Sequence, residues 1–312
     1  MTVTTFSELE LDESLLNALE SKGFTRPTAI QAAAIPPALE GRDVLGSAPT
    51  GTGKTAAYLL PVLQHLLDFP RKKSGPPRIL ILTPTRELAM QVAEHARELA
   101  ANTHLDIATI TGGVAYMNHA EVFSENQDIV VATTGRLLQY IKEENFDCRA
   151  VETLILDEAD RMLDMGFLPD LKRILKALPP DRQTLLFSAT FSPEIKKLAS
   201  EFLNKPESVE IERNKDSSLV RQTLYRVPKA NKHTVLRDLI VDNQWDQVLV
   251  FTRTKYGADK LVRHLLKDGL VAKAIHGDKS QSARTTALRE FKEHKLPILV
   301  ATDIAARGLD IE

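Results

Sequence analysis

Asp43-Val44-Leu45-Gly46-Ser47-Ala48-Pro49-Thr50-Gly51-Thr52-Gly53-Lys54-Thr55-Ala56-Ala57-Tyr58-Leu59-Leu60 sets three kinds of local structure in a row. Residues 43–47 read as a short buried strand, 48–55 as a glycine-bearing loop, and 56–60 as the opening of a helix. That order suits phosphate binding. Glycines let backbone N–H groups turn toward an anion, and the helix start adds its dipole. Lys54 supplies a point charge, and Thr55 offers a hydroxyl to Mg2+. The strict pattern has Gly where this chain has Ala48. For the loop alone, a chance glycine-rich turn is the alternative.

A second stretch strengthens the reading. Val151-Glu152-Thr153-Leu154-Ile155-Leu156 is an apolar, β-branched run ending in Asp157-Glu158-Ala159-Asp160. A strand that delivers adjacent acids at its C-terminal end suits a phosphate-loop ATPase. One carboxylate can hold Mg2+ through water, and the next can polarise the attacking water. An acidic helix start is the alternative for the acids by themselves. Loop and acids in this order reinforce each other.

Composition limits the function classes. The 312-residue chain, 43% hydrophobic, has room for two domains with real cores. Lys+Arg 40 against Asp+Glu 42 leaves a formal charge of −2, so any nucleic-acid affinity must come from a local groove. The single cysteine, Cys148, excludes an internal disulfide and any cysteine-rich zinc site. The eight histidines show no ligand spacing. No apolar run reaches the ~18 residues that span a bilayer, and Met1-Thr2-Val3-Thr4-Thr5-Phe6 lacks the regions of a signal peptide. The expectation is a cytoplasmic protein with no membrane association.

Strand and helix patterns alternate almost throughout. Further strands are expected at 78–82, 106–110, 128–132 and 183–187, and a capped helix at 12–19 stopped by Gly23. Around Glu212-Arg213-Asn214-Lys215-Asp216-Ser217-Ser218 the pattern lapses into a polar stretch, read as a linker at 212–218 between domains 1–211 and 219–312. Alternation then resumes with strands at 246–251, 271–275 and 297–300 and helices at 255–267 and 280–292. The fold class is therefore α/β, with two tandem units whose parallel sheets are covered by helices on both faces. The second unit carries no phosphate loop.

The full set of motifs resembles the DEAD-box family of ATP-dependent RNA helicases, over Phe6 to Ile311. The resemblance implies two RecA-like lobes, ATP and Mg2+ as cofactors, and RNA as partner. By it, Lys54 and Thr55 bind phosphate and Mg2+, Asp157 holds Mg2+ through water, and Glu158 orients the attacking water. Residues Ala48, Pro49, Thr50, Gly51, Thr52 and Gly53 complete the phosphate loop. Gly23-Phe24-Thr25-Arg26-Pro27-Thr28-Ala29-Ile30-Gln31 is similar to the adenine-reading element: Gln31 would bond the adenine edge beside Phe24 and Arg26, and Phe6 would stack near the base. Without their neighbours, Pro27-Thr28 is only a helix start and Phe6 only a hydrophobic staple. Ser188-Ala189-Thr190 matches the element that couples ATP state to unwinding through Asp160.

By the same resemblance, Pro84, Thr85, Arg86, Gly113, Gly135 and Arg136 contact the RNA backbone from the first lobe. Arg253, Gly277, Arg284 and Thr302 do so from the second, and Asp310 approaches the ATP ribose. Such groups suit phosphate and 2′-OH contacts that ignore base identity. Thr134 stands where the family has Pro. Up to about Phe167 the chain is most like one bacterial subgroup, which serves large-ribosomal-subunit assembly. From Leu168 it is closer to another. Pre-ribosomal particles are accordingly an expected partner.

The family continues past the position of Ile311 with a segment carrying an arginine finger, worth about 10³–10⁵ in turnover. The expectation is an incomplete second lobe with an exposed strand edge. The expected function is local unwinding of short RNA duplexes by ATP-driven lobe closure. An ATP-gated RNA clamp with little hydrolysis is the alternative, and a DNA translocase a third reading.

Overall fold

The computed structural model describes residues 3–71, 73, 75–113, 119, 127–211 and 221–302. The chain divides into two compact units, residues 1–214 and 215–312. The expected linker at 212–218 lies outside the described residues, as does Asp310.

In the first unit, helices α1 (Glu13–Ser21) and α2 (Ala29–Leu39) precede strand β1 (Val44–Ser47) and helix α3 (Lys54–Asp68). Then come β2 (Ile79–Thr83), α4 (Arg86–Leu99), β3 (Ile107–Ile110), β4 (Ile129–Thr133), α5 (Thr134–Lys142) and β5 (Thr153–Leu156). Helices α6 (Ala159–Asp164) and α7 (Leu168–Ala177), β6 (Gln183–Ser188), α8 (Pro193–Phe202) and β7 (Glu207–Glu210) complete it. The α1 start is fixed by Asp12, whose carboxylate accepts from the Ser14 amide at 2.9 Å.

Among the described residues seven parallel strands lie in the order β3-β4-β2-β5-β6-β1-β7. The central strands read as unbroken apolar runs because both sheet faces are covered. Alternation along each strand divides the side chains between two layers. Ile79, Ile81, Ile129 and Val131 pack with Leu15, Ile35, Leu59 and Val92 from α1 to α4. Leu80, Leu82, Val130 and Ala132 pack with Leu137, Leu171 and Leu198 from α5, α7 and α8. Each such Leu or Ile contributes about 1.5–3 kcal/mol of burial. Gly46 has a packing reason: a Cβ there would stand 2.6 Å from Cε1 of Phe187.

The second unit holds α9 (Lys232–Asp242), β8 (Val248–Thr252), α10 (Lys255–Lys267), β9 (Ala272–Ile275), α11 (Gln281–Lys292) and β10 (Ile298–Thr302). Its parallel sheet runs β8-β10-β9. Ile298 and Val300 pack toward α9 and α10, whereas Leu299 and Ala301 pack toward Phe291 of α11. Among the described residues strand β8 forms one edge, and its Phe251 is exposed.

Candidate active site

Because every strand of the first sheet is parallel, all the loops after the strands gather along one edge. Strand order then divides them. The loops after β1, β5 and β6, which are neighbours, carry Lys54, the acids at 157–160, and Ser188 to Thr190. The loops after β2 and β3, and the start of α5 directly after β4, are likewise neighbours and carry Pro84 to Arg86, Gly112-Gly113, and Gly135-Arg136.

The phosphate loop turns through Gly51 (φ 78°) and Gly53 (φ 90°), left-handed conformations that favour glycine. Ala48 keeps a negative φ and donates its amide to the Ser188 carbonyl at 3.3 Å, so glycine is not required there. Thr52 ties the loop to itself by donating to the Pro49 carbonyl at 2.7 Å, and Thr50 stays exposed. Lys54 is the first residue of α3 and is buried. Its ammonium donates to the carbonyls of Ala48 (2.6 Å) and Pro49 (3.0 Å). Burial lowers its pKa, against the opposing pull of Asp157, Glu158 and Asp160.

Asp157, 3% exposed, follows β5 and accepts from the Tyr58 hydroxyl at 2.9 Å. Burial pushes its pKa up, while the Tyr58 bond and Lys54 work downward. Glu158, 8% exposed, takes a left-handed backbone (φ 53°) at the start of α6. Burial first, and the Asp157 charge second, raise its pKa to about 7. Arg161 donates to its Oε2 at 2.7 Å. Thr190 donates to Asp160 at 3.3 Å, and its amide reaches the Ser188 hydroxyl at the same distance. Tyr58 and Arg161 are site residues the sequence reading did not name.

The residues fit Mg2+. Thr55 stands three residues before Tyr58 on α3, and the Tyr58 hydroxyl donates to Asp157 at 2.9 Å, so α3 brings two hard oxygen donors to one side of the phosphate loop. Among the described residues no group of three or more His, Cys, Asp or Glu could cage a metal.

Gln31 is buried at the start of α2. Its carbonyl accepts from the Thr28 amide (2.9 Å), and its amide donates to the Gly53 carbonyl (3.1 Å), joining the expected adenine reader to the phosphate loop. Phe24 is 40% exposed and Arg26 is exposed beside it, both open to a ligand. Phe6 is 6% exposed and packs within the core.

Along the other half of the edge, Thr85 caps α4 by accepting from the Leu88 amide at 3.3 Å. The Arg86 side chain lies against Gly113 (φ 73°), where a Cβ would overlap the guanidinium. Helix α5 starts at Thr134 without the family's proline, leaving Gly135 exposed and Arg136 half-buried. In the second unit Arg253 follows β8 and is exposed, Gly277 follows β9, and Thr302 ends β10. Arg284 stands in the first turn of α11, half-buried.

A parallel sheet with a phosphate loop after one strand and paired acids after a near neighbour defines a P-loop nucleotide-binding protein. The chain belongs to the DEAD/DEAH box helicase family, whose model matches residues 28–198, and the helicase conserved C-terminal domain matches residues 231–312. It is 64% identical to the ATP-dependent RNA helicase SrmB of Escherichia coli, over 100% of this chain and 71% of that one. The protein of the same name from Haemophilus influenzae is 54% identical, over 100% and 72%. The E. coli match runs through both halves of the chain, across the change of subgroup similarity expected near Phe167. Among solved structures, S. cerevisiae Dbp5 bound to RNA and ADP BeF3 is similar with a TM-score of 0.88 and 29% identity, covering 98% of this chain and 78% of that one.

Proposed function

We propose that the protein is an ATP-dependent RNA helicase that separates short RNA duplexes locally. The observation that carries this reading is the division of one sheet edge into two neighbouring sets of loops. One holds the phosphate loop and its acids, and the other holds half-buried arginines, exposed glycines and a helix N-terminus suited to a sugar–phosphate backbone. Lys54 binds the ATP phosphates in exchange for the carbonyls of Ala48 and Pro49. Phe24, Arg26 and Gln31 serve the adenine end. Glu158, once ionised, orients the attacking water and takes its proton. When bound, Mg2+ would neutralise charge growing on the phosphate oxygens, held by Thr55 and, through water, Asp157.

RNA is read through its backbone by Arg86, Gly113, Gly135 and Arg136 in the first unit and by Arg253, Gly277, Arg284 and Thr302 in the second. Contacts of this type give little base preference. Unwinding follows when ATP makes both units engage one strand in a bent form that no duplex can adopt, with Asp160, Ser188 and Thr190 coupling the two ligands. The proposed setting is ribosome assembly or RNA remodelling, with pre-ribosomal particles as partners. No helix among the described residues is long and apolar enough to cross a membrane, which is compatible with work in the cytoplasm.

RNA-stimulated phosphate release, measured beside displacement of a short RNA strand, tests the reading. The parent should do both and Glu158→Gln neither, while still binding ATP. RNA retention under ATP with no phosphate release in the parent would instead identify an ATP-gated clamp.

A further inference from the structure

His119, between β3 and β4 in sequence, and Tyr140, on α5, form a buried pair. His119 is 3% exposed, and Tyr140 is among the largest fully buried side chains. The rings meet edge to face at 5.6 Å and 79°, and His119 Nδ1 lies 2.8 Å from the Tyr140 hydroxyl. The other ring nitrogen, Nε2, faces the Thr111 amide at 3.4 Å.

An amide N–H can only donate, so Nε2 must accept. The imidazole is therefore neutral, with its hydrogen on Nδ1, and Nδ1–H donates to the tyrosine oxygen. Burial and the Arg136 charge both lower the His119 pKa, in line with that form. Arg136, one turn before Tyr140 on α5, also donates to the tyrosine oxygen, at 3.4 Å. Its guanidinium carbon sits 5.5 Å from the tyrosine ring centroid. The tyrosine oxygen thus accepts from a histidine on one side and from an arginine on the other. Thr111 in turn precedes Gly112-Gly113, the turn against which Arg86 lies.

We propose that His119 and Tyr140 are positioning residues that hold Arg136 in register with the Gly112-Gly113 turn, so that the first turn of α5 and that glycine turn meet one RNA backbone as a preformed surface. The proposal rests on the reading of Arg136 as an RNA contact. Neither His119 nor Tyr140 touches RNA; both act through Arg136. Preorganisation of this kind raises affinity by removing the ordering that binding would otherwise require.

Tyr140→Phe keeps the ring under the guanidinium but removes the shared acceptor. The expected result is about threefold to tenfold weaker RNA binding, the range of one lost hydrogen bond, with ATP affinity unchanged. Arg136→Ala should weaken RNA binding and reduce the salt slope by about 0.7. In the R136A background, Y140F should then have no further effect, because its route to RNA is gone. His119→Gln, whose amide can accept from Thr111 and donate to Tyr140, should retain most of the affinity, whereas His119→Leu should behave like Y140F. An equal loss from Y140F in both backgrounds would overturn the proposal, since the tyrosine would then act on the fold rather than on Arg136. If R136A leaves RNA affinity and salt slope unchanged while strand displacement persists, the helicase reading stands and this proposal falls.

Discussion

Arg161 donates from Nη1 to Oε2 of Glu158 at 2.7 Å, so the carboxylate expected to orient the attacking water is held by a cation less than one helical turn away. Arg161 lowers the Glu158 pKa against burial and the Asp157 charge, which together raise it to about 7. A base must be ionised to act, so the acid limb of the hydrolysis rate should fall near neutrality. Removing Arg161 removes a downward pull. Arg161→Gln should therefore move that limb to higher pH and lower activity at pH 7 more than at pH 8.5. The check is the pH profile of RNA-stimulated phosphate release; a limb that stays in place would mean Glu158 does not set it.

The same group predicts a stability effect. Glu158 has a folded-state pKa of about 7 against an ordinary value of 4.5. Folding thus favours its protonated form. That contribution is intact below pH 4.5 and is lost as pH rises through about 7. Glu158→Gln carries no charge to bury. It should stabilise the protein at pH 8 by at most on the order of 3 kcal/mol, with the gain shrinking toward zero as pH falls to about 4.5. Denaturant midpoints in metal-free buffer at pH 5 and pH 8 measure this. A gain of equal size at both values would assign it to something other than the Glu158 charge.

Lys54→Ala should weaken nucleotide binding by roughly tenfold to a hundredfold, the range for a charge-assisted hydrogen bond. The ammonium lies against the carbonyls of Ala48 and Pro49, and phosphate must take their place. Titration with a fluorescent ATP analogue reads the loss, and a melting curve shows whether the fold survives. Unchanged affinity would remove the phosphate loop from the nucleotide site.

Much of this was legible in the sequence. The apolar runs at 78–82 and 128–132 became the central strands β2 and β4, and the helix expected at 255–267 is α10. Other elements were hidden for physical reasons. Helix α2 carries Pro36 and Pro37 in its last turns, which reads as a break. Strand β7 buries only Val209, because it pairs on one side with β1 and forms the sheet edge, so it shows no apolar run. The site residues found by motif were those whose chemistry is local: glycines, Lys54 and the adjacent acids. Tyr58 and Arg161 matter through partners that only the fold supplies. Tyr58 meets Asp157, 99 residues away, because β1 and β5 both flank β6. Likewise Arg86 meets Gly113 only because β4 alone separates β2 from β3.

Thr134 offers a final prediction. It is the first residue of α5 and is fully buried, and its hydroxyl has no hydrogen-bond partner among the described residues. A buried hydroxyl left unpaired costs about 1–3 kcal/mol. Proline suits this position, since the first amide of a helix lacks an intrahelical partner and the ring fixes the φ a helix needs. The preceding residue must be extended, and Thr133 is, with φ −89° and ψ 140°. Thr134→Pro should therefore stabilise the protein by about 1–2 kcal/mol, combining removal of the hydroxyl with a stiffer unfolded chain. It should leave RNA affinity unchanged, because Gly135 and Arg136 keep their places at the start of α5. A higher denaturant midpoint at constant slope is the expected result. A lower midpoint would show that the Thr134 amide or hydroxyl contributes a bond that proline cannot replace.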